Sequence, residues 1–291
     1  MTSDNDRISQ EAATAVAALA PPGTALADIA RIVRGDVLDM SFRAKTPHLG
    51  STLSCVDIMV ALYWTNVALA PEMAKSPDRD RVILSKGHAA TVLYSVLARR
   101  GFFPLEWLVD YARDGHALAE HPILGNAPGI EVTSGSLGHG LPLGLGIALA
   151  GRLQNSPRRV YIVLSDGECN EGVIWEAALF AAAQRLDRVT VIVDYNKWQA
   201  TGRSDEVLAL APLADKWRAF GWDAVEVDGH DLAALEKALA AAKQSDGKPT
   251  AIIAHTVKGK GVSFMEDDNN WHYRIPTASE LAQARQELRL P

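Results

Sequence analysis

The chain has 291 residues, of which 48% are hydrophobic, and its 29 basic and 35 acidic side chains give a formal net charge of −6. The high apolar content excludes disorder as the main state, and the acidic balance argues against nucleic acid, whose phosphate backbone is bound by basic surfaces. Two cysteines, Cys55 and Cys169, exclude a disulfide framework and a multi-cysteine zinc site, so a reducing cytoplasm is the expected location.

The N-terminal residues, 1–23, are expected to form a tail that ends in Pro21-Pro22-Gly23. The tail is polar and acidic at its start, where a secretory signal would be basic. The longest apolar run, 141–151, is far shorter than the roughly 20 residues that a membrane-spanning helix needs. We therefore expect no contact with a membrane.

Apolar residues at spacings of three and four predict a helix over residues 24–45 and a second over 52–67. Short runs rich in β-branched residues then predict five strands, over 81–85, 160–165, 189–195, 224–227 and 250–255. Helical patterns lie between and after these strands, over 88–100, 138–154, 172–186, 211–220, 231–243 and from about 277.

The alternation of strands and helices predicts a doubly wound α/β fold, with a mainly parallel sheet and helices on both of its faces. Three strands are continuous apolar runs, which are typical of a parallel sheet. No repeat or linker divides the chain, so one domain is expected over residues 24–291. Ligands of such sheets bind beyond the carboxyl ends of the strands. The segments to examine are therefore 86–88, 166–168, 196–198 and 255–259.

The strongest chemical signal lies in segments 165–172 and 194–198, which each follow a predicted buried strand. Asp166 and Asn196 are separated by 30 residues, about one strand–helix–strand unit, so both reach the same edge of the sheet. Carboxylate and amide oxygens suit Mg²⁺ or Ca²⁺ better than zinc. Gly167 allows backbone to approach a phosphate, and the next helix adds N–H donors. These residues predict a Mg²⁺-bridged diphosphate.

Segment 166–168 followed by Asn196 resembles the thiamine diphosphate fingerprint of the transketolase family. The resemblance implies that Mg²⁺, with Ca²⁺ or Mn²⁺ as possible substitutes, is held by the Asp166 carboxylate, the Asn196 side chain and the Trp198 carbonyl. It implies further cofactor contacts for Gly167, Glu168 and Asn196. It also implies the thiamine diphosphate-binding fold, in agreement with the α/β architecture expected from the strands and helices.

Five more segments resemble parts of the same family: 46–51, 84–89, 121–122, 133–140, and 258–261 with 271–272. The resemblance implies that four histidines act in catalysis at the substrate and cofactor: His48, His88, His121 and His272. It implies cofactor contacts for Ser51, His88, Gly135, Ser136, Leu137, Lys258 and His272. Imidazoles suit the required proton transfers because they titrate near neutral pH.

Glu171 and Glu176 lie at the start of the predicted helix over 172–186. One interpretation is structural, because acidic side chains are stabilised near a helix N-terminus. The resemblance implies a second, in which the two glutamates lie where two cofactor-binding units meet and link paired active sites.

Full-length transketolases also have a pyrimidine-binding domain and a C-terminal domain, and no segment of this chain resembles them. The resemblance therefore implies the N-terminal subunit of a two-chain transketolase, with a C-terminal transketolase subunit that completes the active site in an α₂β₂ assembly. The reaction would transfer a two-carbon ketol unit from a ketose phosphate to an aldose phosphate, through a carbanion stabilised by thiamine diphosphate. The sugars stay open between ordinary pentose phosphates and branched or sulfonated sugars.

Two alternatives remain at the sequence level. One is an α subunit of another thiamine diphosphate enzyme, such as a 2-oxo acid dehydrogenase or a 1-deoxyxylulose-phosphate-synthase-like enzyme, although segments 85–88 and 271–272 favour transketolase. The other is a module that holds the cofactor without turnover. A nicotinamide-binding domain is not expected, because no Gly-x-Gly-x-x-Gly follows an early strand.

Overall fold

The computed structural model describes residues 23–291, so nearly all of the tail predicted over 1–23 lies outside the described residues. Within these described residues, five strands form one sheet, in which every neighbouring pair is parallel and the spatial order is β1-β2-β3-β5-β4. They are β1 (Arg81–Leu84), β2 (Val160–Ser165), β3 (Val189–Tyr195), β4 (Asp223–Asp228) and β5 (Thr250–His255).

The α-helices within residues 23–291 are α1 (Leu26–Ala44), α2 (Leu49–Ser54), α3 (Val56–Ala61), α4 (Ala90–Arg99), α5 (Gly140–Leu153), α6 (Gly172–Ala183), α7 (Ser204–Leu208), α8 (Leu213–Ala219), α9 (Leu232–Ala242) and α10 (Ala278–Glu287). A π-helical turn continues α3 over Leu62–Asn66. Short 3₁₀ turns occupy Pro71–Met73, Gly87–Ala89, Leu105–Asp110, Gly167–Asn170 and Asn269–His272.

The sheet is covered on both faces because alternate strand residues point into two separate cores. In β2, Tyr161 and Val163 pack in the core formed with α1–α4, α9 and α10. Ile162 and Leu164 pack on the opposite face with α5, α6 and α8. Every residue of β2 and β3 is buried. The predicted doubly wound α/β fold is therefore confirmed.

The predicted bounds of β2, β3 and β5 are those of the structure, and most helices differ from prediction by one to three residues. The helix predicted over 52–67 is wrong in detail, because the backbone breaks at Cys55 (φ −98°, ψ 9°) and separates α2 from α3. The short helix α7 was not predicted. Among residues 23–291, no helix combines the length and the apolar character needed to cross a bilayer.

Candidate active site

Asp166 directly follows β2 and lies beside the loop that follows β3. Its Oδ1 accepts a hydrogen bond from the Gly167 N–H at 2.9 Å, and its Oδ2 accepts from the Lys197 N–H and the Ser204 Oγ, both at 2.8 Å. In the same loop, the buried Asn196 accepts a hydrogen bond from the Trp198 N–H at its own Oδ1. The structure thus brings together the three residues predicted to bind the metal.

The Asp166 carboxylate is 0% exposed and forms no ion pair with any of residues 23–291. Burial raises its pKa to about 7, although the hydrogen bond from Ser204 lowers it. A buried charge without a counter-ion is unfavourable, so a cation bound here would stabilise the charged form.

The kinds of oxygen atom that were predicted to bind the metal suit Mg²⁺ in particular. No group of three or more His, Cys, Asp or Glu side chains in the described part of the chain is arranged to hold a metal. The donor set predicted from the sequence is instead one carboxylate, one amide and one backbone carbonyl, from Asp166, Asn196 and Trp198. Such a set fits Mg²⁺, which takes few protein oxygens and completes its shell with phosphate and water.

A buried ion pair lies next to this cluster, and sequence analysis did not identify it. Lys86, which follows β1, donates to Asp194 Oδ2 at 2.5 Å and to the Ser51 carbonyl at 2.7 Å. Asp194 also accepts from Ser54 Oγ at 2.6 Å and from Thr256 Oγ1 at 2.5 Å. Both charged side chains are 0% exposed. This pair joins the carboxyl ends of β1, β3 and β5. Its sequence signals are that Lys86 follows a predicted strand and that Asp194 begins segment 194–198.

The four predicted catalytic histidines lie in one cluster. The ring centroid of His48 is 5.3 Å from that of His88, 6.4 Å from that of His121 and 5.1 Å from that of His272. His48 has a left-handed backbone conformation (φ 74°), and its N–H donates to the His272 carbonyl at 2.8 Å. Four segments that are distant in the sequence thus meet at the carboxyl edge of the sheet.

Three of the four histidines in the cluster are neutral near pH 7. Burial lowers the pKa of His48 to about 4, and the nearby His121 and Lys258 act in the same direction. Burial likewise lowers the pKa of His272 to about 3 and that of His88 well below its usual value. Each of these three neutral rings therefore offers one N–H donor and one nitrogen acceptor.

Lys258 places an ammonium group beside the histidines. Its Nζ lies 2.6 Å from Asn269 Oδ1 and 3.2 Å from His272 Nδ1. Ser51 Oγ is 3.4 Å from the same His272 nitrogen. Burial lowers the pKa of Lys258 to about 8, and repulsion from Lys86 adds to this effect. The side chain is suited to bind an anion, because none of the acceptors at these distances is a carboxylate.

The loop that contains Gly135, Ser136 and Leu137 packs against the turn after β1. A Cβ on Gly87 would approach the Gly135 nitrogen to 2.7 Å, and a Cβ on Gly135 would approach the His121 ring to 3.1 Å. Leu137 is 38% exposed, and Ser136 Oγ is 3.1 Å from His139 Nδ1. The loop therefore lies next to the histidine cluster, with part of its surface open.

Glu168, a predicted cofactor contact, is 0% exposed and points into the protein. One of its oxygens accepts from Ser85 Oγ and from the Gly138 N–H, and the other accepts from the Ser165 N–H at 2.7 Å. The carboxylate therefore joins the ends of β1 and β2 to the loop before α5. Its predicted contact with the cofactor stays a prediction.

Glu171 and Glu176 are both exposed at the N-terminal end of α6. A Cβ on Gly138 would approach the Glu171 Cβ to 3.0 Å, so Glu171 lies beside the Gly135–Leu137 loop. Two large apolar side chains on the same helix, Leu179 and Phe180, are 57% and 43% exposed. Glu171 therefore lies near the site, and Glu176 lies on the same helix as these exposed apolar side chains.

The sequence matches a known family over nearly all of the described residues. The profile of the family described as "Transketolase, thiamine diphosphate binding domain" matches residues 25–290. An apulose-4-phosphate transketolase subunit from Phocaeicola vulgatus is 37% identical over 255 residues, 88% of this chain and 90% of that protein. The 6-deoxy-6-sulfo-D-fructose transketolase subunit SqwG of Clostridium sp. (strain MSTE9) is 41% identical over 237 residues, 81% of this chain and 86% of that protein.

The fold also matches solved structures. The transketolase of Campylobacter jejuni aligns with a TM-score of 0.85 and 28% sequence identity, over 91% of this chain and 43% of that chain. This chain thus spans less than half the length of that transketolase, whereas it spans most of the length of the two subunits named above.

Proposed function

The chain belongs to the transketolase family, and on this basis we propose that it is the N-terminal subunit of a two-chain transketolase that binds thiamine diphosphate through Mg²⁺. Ca²⁺ or Mn²⁺ would be acceptable substitutes, because both are cations that oxygen ligands bind. The observation that carries the proposal is one constellation at the carboxyl edge of the sheet. It combines the buried Asp166 carboxylate, the Lys258 ammonium and the cluster of His48, His88, His121 and His272.

The proposal assigns the residues to two tasks. Asp166, Asn196 and the Trp198 carbonyl would hold the metal, while Gly167, Lys258 and the loop around Gly135 and Leu137 would contact the cofactor. When bound, thiamine diphosphate supplies an electron sink for the carbon left by the broken C–C bond. The protein then has to bind the sugar, exclude water and move protons at its hydroxyl groups.

The histidines are suited to that proton movement. Because His48 and His88 are neutral near pH 7, either ring can accept a proton from a substrate hydroxyl and return it later. Lys258 adds positive charge beside them, which would stabilise negative charge on substrate oxygen. Such contacts typically contribute ~10²–10⁴-fold in rate.

We further propose that the active site is completed by a partner chain in the cytoplasm, a C-terminal transketolase subunit in an α₂β₂ assembly. The support is the α6 surface, where Glu171 and Glu176 lie near the exposed Leu179 and Phe180. Large apolar side chains exposed next to each other on one helix suit a surface that a protein partner covers.

The proposed donor is a ketose that carries an anionic group, and the proposed acceptor is an aldose phosphate. The two subunits compared above are named for different sugars, apulose 4-phosphate and 6-deoxy-6-sulfo-D-fructose. The donor panel should therefore contain both compounds as well as xylulose 5-phosphate.

The deciding experiment measures ketol transfer to ribose 5-phosphate with thiamine diphosphate and Mg²⁺. It compares this chain alone with this chain mixed with the chain encoded beside its gene. We expect activity only in the mixture, because each active site needs residues from both chains. Tight cofactor binding by the mixture, with no transfer from any donor in the panel, would contradict the assignment as a transketolase.

A further inference from the structure

His230 lies just beyond the end of β4, the one strand whose following residues were not among the segments singled out from the sequence. The Gly229 N–H donates to the His255 carbonyl at 2.8 Å, and a Cβ on Gly229 would approach Thr256 Cγ2 to 2.4 Å. Glycine is therefore required here to bring the β4 end against the β5 end. This close approach places the His230 side chain next to the segment that leads to Lys258.

The His230 ring joins a buried carboxylate to the backbone of that segment. Its Nδ1 lies 2.8 Å from Asp57 Oδ2, and its Nε2 accepts a hydrogen bond from the Val257 N–H at 2.8 Å. Since Nε2 accepts, the N–H that faces the carboxylate is the one on Nδ1. Both ring nitrogens therefore form hydrogen bonds, and only the tautomer that carries its proton on Nδ1 can form the two bonds together.

Arg34 fixes Asp57 and also holds the other side of Lys258. It forms a two-pronged ion pair with Asp57, with N···O distances of 3.0 and 2.6 Å. Its Nε donates to the Lys260 carbonyl at 3.0 Å. Burial alone would raise the pKa of Asp57, but the hydrogen bond from His230 and the charge of Arg34 outweigh it and lower that pKa. The carboxylate therefore stays charged and holds both partners.

Lys258 thus lies between two anchored backbone groups. The Val257 N–H is held by His230, and the Lys260 carbonyl is held by Arg34. The Lys258 ammonium then reaches Asn269 and His272. A shift of this short segment would move the ammonium away from the histidine cluster.

We propose that His230 is a positioning residue that, with Asp57 and Arg34, fixes the 257–260 backbone so that Lys258 meets the anionic group of the cofactor. This role rests on the proposed function, because it presupposes that Lys258 binds the diphosphate. Outer partners that orient a binding side chain typically contribute ~10- to 100-fold to affinity or activity.

Two substitutions of His230 separate this role from a general contribution to folding. In His230→Gln, the amide oxygen can occupy the place of Nε2 and accept from the Val257 N–H. In His230→Asn, the shorter side chain reaches only the place of Nδ1, so it keeps a donor to Asp57 but offers no acceptor to Val257. His255→Asn is the matched control, because His255 makes a similar contact with Glu226 at 2.7 Å but points to the surface.

The test uses saturating Mg²⁺ and the complex of this chain with its partner subunit. Affinity for thiamine diphosphate is measured by tryptophan fluorescence, and hydrogen exchange is followed over a peptide that covers Val257–Lys260. We expect His230→Asn to weaken affinity ~10- to 100-fold and to speed exchange. We expect His230→Gln and His255→Asn to remain close to wild type. In a Lys258→Ala background, the further loss caused by His230→Asn should disappear.

Three results would overturn the proposal. One is wild-type affinity and exchange in His230→Asn, and another is an equal loss in the Asn and Gln variants. The third is a loss in His230→Asn that is undiminished when Lys258 is alanine. Failure of the proposed function would give a different result, because the wild-type complex itself would then bind no thiamine diphosphate. The proposed role of His230 would be overturned together with that function.

Discussion

Asp166 and Asp194 are buried carboxylates at the ends of neighbouring strands, and they differ in how their negative charge is balanced. Asp194 is paired with Lys86 and accepts hydrogen bonds from Ser54 and Thr256. Asp166 accepts three hydrogen bonds but has no ion-pair partner in the part of the chain that the structure describes. Asp194 therefore serves the fold, whereas Asp166 is available for a cation.

This contrast predicts opposite results for two matched variants. Asp166→Asn should abolish Mg²⁺-dependent binding of thiamine diphosphate and reduce the free energy of unfolding only slightly, because no ion pair is broken. Asp194→Asn leaves the Lys86 ammonium buried without its partner and should cost about 3–5 kcal/mol of stability. Calorimetry of cofactor binding and chemical denaturation measure the two effects. Cofactor affinity unchanged in Asp166→Asn would contradict the metal-binding role.

At the scale of secondary structure elements, the strands could be predicted because β2, β3 and β5 are mostly apolar and buried along nearly their whole length. The positions of Asp166 and Asn196 followed from the same pattern, since parallel strands end at one edge. The break at Cys55 left no signal, because both halves keep the helical spacing of apolar residues. The Lys86–Asp194 pair could not be predicted either, since nothing in a sequence states which charge faces which.

The turn after β1 packs closely against the loop before α5, and a substitution of Gly87 tests this contact. A Cβ on Gly87 would approach backbone atoms of Ser134 and Gly135 to 2.7 Å. Gly87→Ala should therefore displace the Gly135–Leu137 loop and weaken binding of thiamine diphosphate, which calorimetry on the assembled complex would measure.

Gly146, inside α5, is the control because a Cβ there meets no atom within 4 Å. Gly146→Ala should stabilise the chain by roughly 0.5–1 kcal/mol, since alanine is the better helix former. If Gly87→Ala bound the cofactor as tightly as wild type, the proposed contact between this loop and the cofactor would lose its support.

At the scale of the whole molecule, the histidine cluster depends on the complete fold. His48 precedes α2, His88 lies in the turn after β1, His121 lies in a loop, and His272 ends a 3₁₀ turn. None of these segments could bury its histidine alone, so the low pKa values of His48, His88 and His272 arise only when the whole domain has formed. Proton binding by these rings is therefore linked to unfolding of the whole domain.

This linkage predicts that stability falls as the pH is lowered from about 6.5, the usual histidine pKa, towards 4. In that window unfolded chains bind protons at His48 and His272, whose pKa values in the folded state are about 4 and about 3. The unfolded state then holds more protons, so the free energy of unfolding decreases with decreasing pH.

The variant His48→Asn should reduce this dependence of stability on pH, and asparagine tolerates the left-handed backbone at that position. Thermal unfolding of the wild type and of His48→Asn, measured from pH 7 to pH 4, tests this prediction. His139→Asn is the control, because His139 is exposed. Equal pH dependence in wild type and His48→Asn would show that His48 is protonated as readily in the folded chain as in the unfolded one.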